Sequence, residues 1–229
     1  MSKFTFDLVT KKGVEKLGIE ARKAILIGLS GRDIEKTKAH VKELAEMGIP
    51  SPENVPVIYH ITPALLTFDK SFPVVGKGSS GEIEFLIIKR GGKIYIGCGS
   101  DHTDRDLESV SICKSKFITP KPICSVLWDY DELKDHWDSI TLNSWQTVDG
   151  VEKLYQSGTA ADLLPLERLV EEAEKEMGGS IEDTIVFSGT VPSVDGLYSG
   201  DSFTGVIEDK VLDRKLTVSY GLEIFENFI

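Results

Sequence analysis

The sequence has few cysteines and no long hydrophobic run, and each shortage argues against a class of protein. Its 229 residues include three cysteines, Cys98, Cys113 and Cys124, without a Cys-x-x-Cys pair. An odd number at these spacings suggests neither a disulfide framework nor a zinc knuckle, so we expect reduced thiols and a cytoplasmic protein. No apolar stretch approaches the ~20 residues of a membrane span, and the first residues lack the apolar core of a signal peptide.

Positive charge is also scarce. Lysine and arginine number 26 against 37 aspartates and glutamates, which gives a formal net charge of −11. Nucleic acids and anionic membrane surfaces are bound by basic faces, so this balance argues against both partners. The length fits one medium domain, or one domain with a small appendage, and allows a substantial buried core.

The hydrophobic pattern predicts many strands and few helices. Alternating Phe4, Phe6 and Leu8 indicate a first strand. A β-rich α+β fold follows from widely separated strands with two helices of note. The predicted strands are 22–29, the two arms of a central hairpin, 184–187, 202–207 and 215–224. The predicted helices are about 33–47 and 164–177, with a short helical patch at 129–136. Residues 50–80 are expected to be loop with short extended pieces, and residues 145–162 are expected to be loop.

The central hairpin brings acidic residues together. Gly91-Gly92 is a good two-residue turn between two apolar segments. Counting back from it along both strands places Asp101 opposite Glu82, and Glu84 shares the face of Glu82 because alternate residues of a strand point the same way. Like charges that face each other destabilise a sheet. Three carboxylates on one face therefore need a neutralising partner, and a hard divalent cation is the simplest one.

The spacing alone leaves a second interpretation open, which is a solvated strand face that carries two glutamates. Residues 85–88 argue against it, because they are apolar without a break, as in a strand covered on both faces. Gly81, Gly97 and Gly99 are expected to leave space beside the acids for a bound ligand.

The first predicted helix carries another candidate pair. His40 lies at the edge of the apolar stripe of this helix, and Glu43 is its neighbour on the helix surface. A carboxylate that orients a histidine raises its basicity for general-base work. An ordinary solvated ion pair has the same spacing, so the residues alone leave both interpretations open.

These features, in this order, resemble the fumarylacetoacetate hydrolase superfamily, including its acylpyruvate hydrolase and oxaloacetate decarboxylase members. The resemblance covers about residues 25–220. Within the superfamily, the sequence resembles an uncharacterised branch. The segments that resemble its motifs are Gly31-Arg32-Asp33 with His40-Val41-Lys42-Glu43, Glu82-Ile83-Glu84, the stretch from Asp101 to Leu107, Lys114-Ser115, and Gly189-Thr190 with Gly200-Asp201.

The resemblance implies the architecture and the assembly. It implies a mixed β-sheet roll with a few flanking helices, in one catalytic domain over residues 1–229. Residues 1–60 would form a small N-terminal part that contains the His-x-x-Glu helix. It also implies a homodimer.

The resemblance further implies a role for each site residue. Glu82, Glu84 and Asp101 would hold Mg²⁺ or Mn²⁺, and His40 with Glu43 would activate water. The other roles that it implies are neutralisation of developing negative charge by Lys114, with Lys116 as a competing candidate, and substrate binding by Gly189 and Thr190. Arg32 and Arg105 are candidates to bind an anionic substrate because arginine suits carboxylates, and Arg105 has the equal alternative of a buried structural partner of Asp104 or Asp106. His102 departs from the family pattern; as the residue after Asp101 in a strand it should point away from the metal, in a core or supporting role.

The activity that the resemblance implies is divalent-metal-dependent hydrolysis of a C–C bond in a small, anionic 2-oxo or diketo acid of the acylpyruvate kind. Two alternatives stay open. One is a metal-dependent lyase on 2-oxo acids, which would be a decarboxylase, a hydratase or a dehydratase. The other is a non-catalytic protein that keeps the fold and binds a metabolite.

Overall fold

Two sheets and two short strand pairs form the framework of the molecule. The computed structural model describes residues 1–35, 37, 38, 42 and 55–226. The strands are β1 (Ser2–Thr10), β2 (Gly13–Ala21), β3 (Lys23–Gly28), β4 (Val57–Ile61), β5 (Leu66–Thr67), β6 (Ser71–Val75), β7 (Ser79–Ser80), β8 (Ile83–Arg90), β9 (Lys93–Ser100), β10 (Thr103–Asp104), β11 (Lys121–Pro122), β12 (Val126–Asp129), β13 (Thr141–Val148), β14 (Val151–Thr159), β15 (Thr184–Thr190), β16 (Ser202–Asp209) and β17 (Arg214–Phe225).

Helices are few and mostly short. The α-helices with described bounds are α1 (Arg105–Glu108), α2 (Ile112–Phe117) and α3 (Leu166–Met177), and 3-10 turns cover Pro63–Leu65, Tyr130–Glu132, Lys134–Ser139 and Ala160–Asp162. Across the described residues, no helix has the length and apolar character that a membrane crossing requires. The predicted class, a β-rich α+β fold with few flanking helices, is confirmed.

The larger sheet is mixed and has the acidic hairpin near its centre. Its eight strands lie in the order β2-β1-β12-β9-β8-β15-β3-β4. Strand β15 runs antiparallel to β8 and parallel to β3. The smaller sheet has five strands in the order β14-β13-β16-β17-β6, and the pairs β10-β7 and β11-β5 lie apart from both.

The register of the hairpin follows from its turn. Gly91 and Gly92 both have positive φ, at 60° and 78°, which is the backbone that a tight two-residue hairpin needs. Arg90 pairs with Lys93, as predicted, and Glu84 therefore faces Gly99. The prediction of the register is confirmed.

Strand β8 is covered on both faces, as its unbroken apolar run predicts. Phe85 and Ile87 belong to the core cluster that also contains residues of the smaller sheet, such as Phe203. Leu86 and Ile88 point to the opposite face and join a second cluster with the β1–β2 hairpin. The larger sheet thus separates two cores, and its central strands are dry on both sides.

Helix α3 confirms the predicted amphipathic segment with a later start. It begins after Pro165, which has extended rather than helical backbone, and ends at Gly178 in the left-handed conformation with φ of 70°. Leu166, Leu169 and Ala173 are buried on its apolar stripe. Of the first predicted helix, residues 34, 35, 37, 38 and 42 are helical, whereas His40 and Glu43 lie outside the described residues.

Several expected loops are strands. Segment 145–162 is mostly hairpin, because β13 and β14 pair from Thr141–Thr159 to the turn at Asp149-Gly150. In residues 50–80, β4 and β6 are the short extended pieces that the sequence predicts, whereas β2 escaped the sequence prediction. The first four residues of β2 and of β14 are solvent-exposed, so these strands lack the apolar alternation that would have marked them.

Candidate functional site

Three carboxylates meet at the end of the β8–β9 hairpin that is remote from its turn. Glu84 and Asp101 are 2% and 1% exposed, and Glu82 is partly buried. The amide of Asp101 donates to the carbonyl of Glu82 at 3.0 Å, which continues the ladder by one residue. One oxygen of each carboxylate lies within 4.8 Å of the other two. The structure thus brings together the three residues that the sequence predicted as metal ligands.

Cationic side chains surround these carboxylates. The Nζ of Lys116 lies 2.5 Å from Asp101 Oδ2 and 3.4 Å from Glu82 Oε2. Lys121 Nζ lies 3.2 Å from the other oxygen of Asp101. Arg105 Nη2 lies 3.1 Å from Glu82 Oε1. Two of the three carboxylates are therefore ion-paired within the protein.

Glu84 is the one of the three carboxylates that has no cationic partner among the described residues. Burial raises its pKa well above the usual value, and the negative charges of Asp101 and Glu82 raise it further. The amide of Gly189 donates to its Oε2 at 2.8 Å and favours the charged form only in part. The nearby charge of Lys116 also lowers this pKa without cancelling the rise, so Glu84 holds its proton to a higher pH than an ordinary glutamate does.

The paired carboxylates behave in the opposite way. Burial alone would raise the pKa of Asp101, but the ammonium groups of Lys116 and Lys121 lower it overall. For Glu82, the charges of Arg105 and Lys116 likewise outweigh burial, and its pKa is lowered. These two carboxylates are ionised at neutral pH.

The two lysines differ from each other in the same environment. Burial lowers the pKa of Lys121 to about 8. Burial also opposes the charged form of Lys116, but the carboxylates of Asp101 and Glu82 outweigh it and raise the pKa of this lysine. Lys116 is therefore the permanent cation of the site.

Lys116, rather than Lys114, is the lysine that helix α2 turns toward the carboxylates. Lys114 is exposed, whereas Lys116 is 7% exposed. Residues two apart on a helix differ by about 200° in direction, so only one of the two lysines points inward. The resemblance ranked Lys114 first because Lys114-Ser115 looks like the family's Lys-Ser; the geometry corrects that choice.

Gly189 and Thr190 lie where β15 is irregular beside β8. The pairing of the two strands shifts between Phe187 and Thr190, and Thr190 faces Glu84. Gly189 has φ of 82°, and a side chain there would meet the carbonyl oxygen of Ile27 at 2.6 Å. The Thr190 hydroxyl donates to the carbonyl of Ile83 at 2.6 Å. Both residues adjoin the carboxylates; their predicted contact with substrate stays a prediction.

The two predicted arginines have protein partners. Arg105 pairs with Glu82 and with Glu108, and its Nε donates to Ser80 at 2.7 Å. Arg32 makes a bidentate pair with Asp138, with both distances 2.7 Å, and its Nε donates to the Leu163 carbonyl at 2.8 Å. Arg105 thus belongs to the carboxylate cluster. Arg32 joins the segment after β3, where the first predicted helix begins, to the segment before α3.

His102 lies between β9 and β10, and its ring bonds to residues outside the three carboxylates, in keeping with the predicted supporting role. Its Nδ1 lies 3.0 Å from the Tyr220 hydroxyl and its Nε2 lies 3.0 Å from Ser79 Oγ. Burial lowers its pKa to about 3, so the ring is neutral. Its carbonyl accepts a hydrogen bond from Lys121 at 2.5 Å. His102 therefore supports the backbone next to Asp101.

The glycines beside the acids make room for the protein's own side chains rather than for a ligand. A Cβ on Gly99 would lie 2.8 Å from both Leu86 and Phe187. At Gly97 it would lie 2.9 Å from Leu127. The sequence interpretation of these glycines was wrong, because close packing between strands uses glycine in the same way as ligand access does.

Lys121 is the main site residue that sequence reasoning missed. It is fully buried in β11, between Pro120 and Pro122, 20 residues after Asp101. A lysine between two prolines ahead of an apolar run was the available signal, since few lysines are buried without a partner. Its partner is distant in sequence, so the pattern alone gave no role.

The donor set fits a hard divalent cation. Three carboxylate oxygens within 4.8 Å of one another are the ligands that Mg²⁺ and Mn²⁺ prefer. Asp101 Oδ1 is buried and accepts no hydrogen bond of good geometry, and Glu84 has no cationic partner in the described chain. The cluster thus offers buried carboxylate oxygens with unfilled acceptor capacity.

Comparison with solved structures defines the fold. The chain is similar to Cg1458 with inhibitor (TM-score 0.65, 17% identity, 94% of this chain and 81% of that chain). It is also similar to 2-keto-3-deoxy-D-arabinonate dehydratase (0.63, 18%, 96% and 79%). A third relative is a putative fumarylacetoacetate hydrolase family protein from Yersinia pestis CO92 (0.62, 21%, 95% and 100%). The chain therefore has the fumarylacetoacetate hydrolase fold, and the predicted resemblance is confirmed.

Sequence comparison assigns the chain to a family. The model of a family described as protein of unknown function, DUF2848, matches residues 27–220, and the chain belongs to this family. No curated protein matches the chain at a significant level. The dehydratase named above has also been solved in complex with magnesium and 2,5-dioxopentanoate.

Proposed function

We propose that this protein is a divalent-metal-dependent enzyme that acts on a small 2-oxo or diketo acid, with hydrolysis of a C–C bond as its leading reaction. The observation that carries the proposal is the convergence of Glu82, Glu84 and Asp101 at a buried hairpin end beside Lys116. Proteins with the same fold are named as a dehydratase and an isomerase, which supports an enzyme.

The three carboxylates would hold Mg²⁺ or Mn²⁺. Such an ion would leave positions open for the oxygens of a 2-oxo acid and would offset negative charge that develops on the keto oxygen. The ammonium of Lys116 lies at the same carboxylates and would stabilise that charge from a second side. Main-chain groups and the hydroxyl around Thr190 would hold the substrate carboxylate.

Water activation is assigned to His40, with Glu43 as the partner that orients it. His40 would take a proton from water as the water oxygen bonds to the distal carbonyl carbon. The electron pair of the C–C bond would leave with the 2-oxo acid fragment as an enolate. Transfer of the proton from His40 to the enolate carbon, whose bond to the distal carbonyl carbon has broken, would complete the reaction. Atoms and charge then balance.

A lyase is the second candidate, and one observation favours it. The similar dehydratase has been solved with magnesium and 2,5-dioxopentanoate, so this fold accommodates loss of water from a 2-oxo acid. A lyase would need a base but no attacking water. A non-catalytic metabolite-binding protein would bind ion and acid without turnover.

A thermal-shift titration tests the site. We expect Mg²⁺ or Mn²⁺ to raise the unfolding midpoint, and oxalate to raise it further only when the metal is present, because a ligand that binds the folded state alone stabilises it. No response to either metal, with or without oxalate, would contradict the proposal.

Mass analysis of products then separates the reactions. Acylpyruvates and sugar-derived 2-oxo acids are incubated with the metal-loaded protein. Hydrolysis gives two acids, decarboxylation releases CO₂, and dehydration leaves the carbon chain intact. We expect His40→Ala to abolish hydrolysis while the stabilisation by metal and oxalate persists; hydrolysis at the wild-type rate in this variant would remove the dyad from the mechanism.

A further inference from the structure

We propose that the ammonium of Lys116 is a built-in counter-ion of the carboxylate cluster, which keeps divalent-ion binding weak until an anionic ligand binds together with the ion. This inference rests on the proposed function and concerns the order and mutual dependence of binding at that site. It predicts a coupling between metal and substrate that Lys116 controls.

The position of Lys116 is the first support. Its Nζ contacts Asp101 at 2.5 Å, Glu82 at 3.4 Å and the Thr103 hydroxyl at 3.4 Å. The two carboxylates are the same groups that would bind a divalent ion. The lysine side chain is 9% exposed, so solvent screens its charge little. A divalent ion at this position is therefore repelled by a cation that shares its ligands.

The formal charges of the cluster are the second support. Glu82, Glu84 and Asp101 carry three negative charges, and their neighbours Arg105, Lys116 and Lys121 carry three positive ones. Counting Glu108, the second partner of Arg105, leaves one excess negative charge. A divalent ion turns the cluster positive on either count.

An anionic ligand restores the balance. A dianion such as oxalate, or a 2-oxo acid that gains a second charge as its enolate forms, offsets the charge of the ion and attracts the ammonium of Lys116. Each ligand then strengthens the binding of the other by the same factor, since coupling between two binding sites is reciprocal. The site consequently favours ligands that carry or acquire two negative charges.

Calorimetric titration with Mn²⁺, in the absence and presence of saturating oxalate, tests the inference. In the wild type we expect oxalate to tighten Mn²⁺ binding by roughly tenfold or more. In Lys116→Met, Mn²⁺ alone should bind about tenfold more tightly than in the wild type, and the gain from oxalate should shrink. Lys114→Met is the matched control, because it removes the same charge from an exposed position of the same helix, and its Mn²⁺ affinity should equal that of the wild type.

The outcomes separate this inference from the function on which it rests. Equal Mn²⁺ affinity of the wild type with and without oxalate overturns the inference, even if Lys116→Met does not fold. Equal affinity of wild type and Lys116→Met for Mn²⁺ alone also overturns it, while the metal site itself stands. Mn²⁺ binding by the variant but not by the wild type supports it. No Mn²⁺ binding by either protein, with or without oxalate, overturns both proposals.

Discussion

Glu84 shows how a single residue can oppose folding and serve a site. Its carboxylate is 2% exposed, beside two other acids, and receives one amide hydrogen bond. Burial and like charge raise its pKa, so the folded protein holds this proton to higher pH than the unfolded chain does. The stability that this proton provides is present below the ordinary pKa of 4.5 and is lost as pH rises through the raised one.

Replacement of Glu84 by Gln should therefore stabilise the metal-free protein. We expect the gain at pH values above the raised pKa, because the buried carboxylate must ionise there whereas the amide of glutamine stays neutral. The gain should vanish near pH 4, and stabilisation by Mg²⁺ should be lost. Urea unfolding in EDTA at about pH 5 and pH 8 measures both effects.

Glu152→Gln is the control, because Glu152 is exposed on β14 and far from any burial penalty. The difference in free energy of unfolding between this variant and the wild type should be small at both pH values. A Glu84→Gln variant that is less stable than the wild type at both pH values would contradict the charge conflict assigned to this residue.

The residue scale is also where sequence reasoning reached its limit. The sequence predicts the proximity of Glu82, Glu84 and Asp101, because a two-residue turn fixes the register of a hairpin. It does not predict the proximity of Lys116 and Lys121, since their approach to Asp101 depends on the path of the chain through α2 and β11. The prolines around Lys121 set its local backbone but not its partner.

At the scale of elements, one arginine anchors the segment after β3, where the first predicted helix begins. Arg32 holds Asp138 in a bidentate pair and also donates to the carbonyl groups of Leu163 and Ala160. The amide of Leu164 donates to the carbonyl of Ser30 at 2.8 Å. These bonds join the segment after β3 to the segment before α3.

Arg32→Ala separates this structural role from the predicted contact of Arg32 with an anionic substrate. From the hydrogen bonds we expect a loss of about 1 kcal/mol or less, because the pair is partly exposed, and oxalate affinity in the presence of Mn²⁺ that stays within about twofold of the wild type. Urea unfolding and calorimetry measure the two quantities. A fall in oxalate affinity of tenfold or more would instead place Arg32 in the substrate site.

Elements were predictable where their signal is local. The Gly91-Gly92 turn, the apolar run of β8 and the stripe of α3 all lie within short windows of sequence. Strands β2 and β14 escaped because their exposed residues do not alternate, and what makes them strands is pairing with β1 and β13. Their identity depends on a neighbour rather than on their own composition.

At the scale of the whole molecule, one core cluster joins the two sheets. Ile25 and Phe85 of the larger sheet belong to the same cluster as Ile207 and Leu216 of the smaller one. The site therefore lies on a hairpin of the larger sheet whose side chains also pack against the smaller sheet. A single folding unit over the described residues is the physical expectation, in keeping with the single domain predicted over residues 1–229.

Assembly is the open prediction at this scale. The resemblance implies a homodimer with the acidic helix α3 outside the interface, so light scattering should give twice the chain mass of 25.3 kDa. Val110, Phe117 and Ile118 expose 75%, 46% and 57% of their surface close to the site, and an interface there would cover them. A mass of one chain at micromolar concentration would contradict the dimer.

The β8–β9 hairpin holds its tip at a fixed distance from its acidic end. Its exposed tip and its acidic end are joined by dry, fully paired strands of known register, so the distance between Lys93 and Gly99, the partner of Glu84, is set at about 20 Å by the rise of a β-strand. A nitroxide attached at position 93, with Cys113 replaced by serine, would thus sit at a rigid separation from any paramagnetic ion held by the carboxylates. The distance from this spin label would locate such an ion in solution, without a crystal.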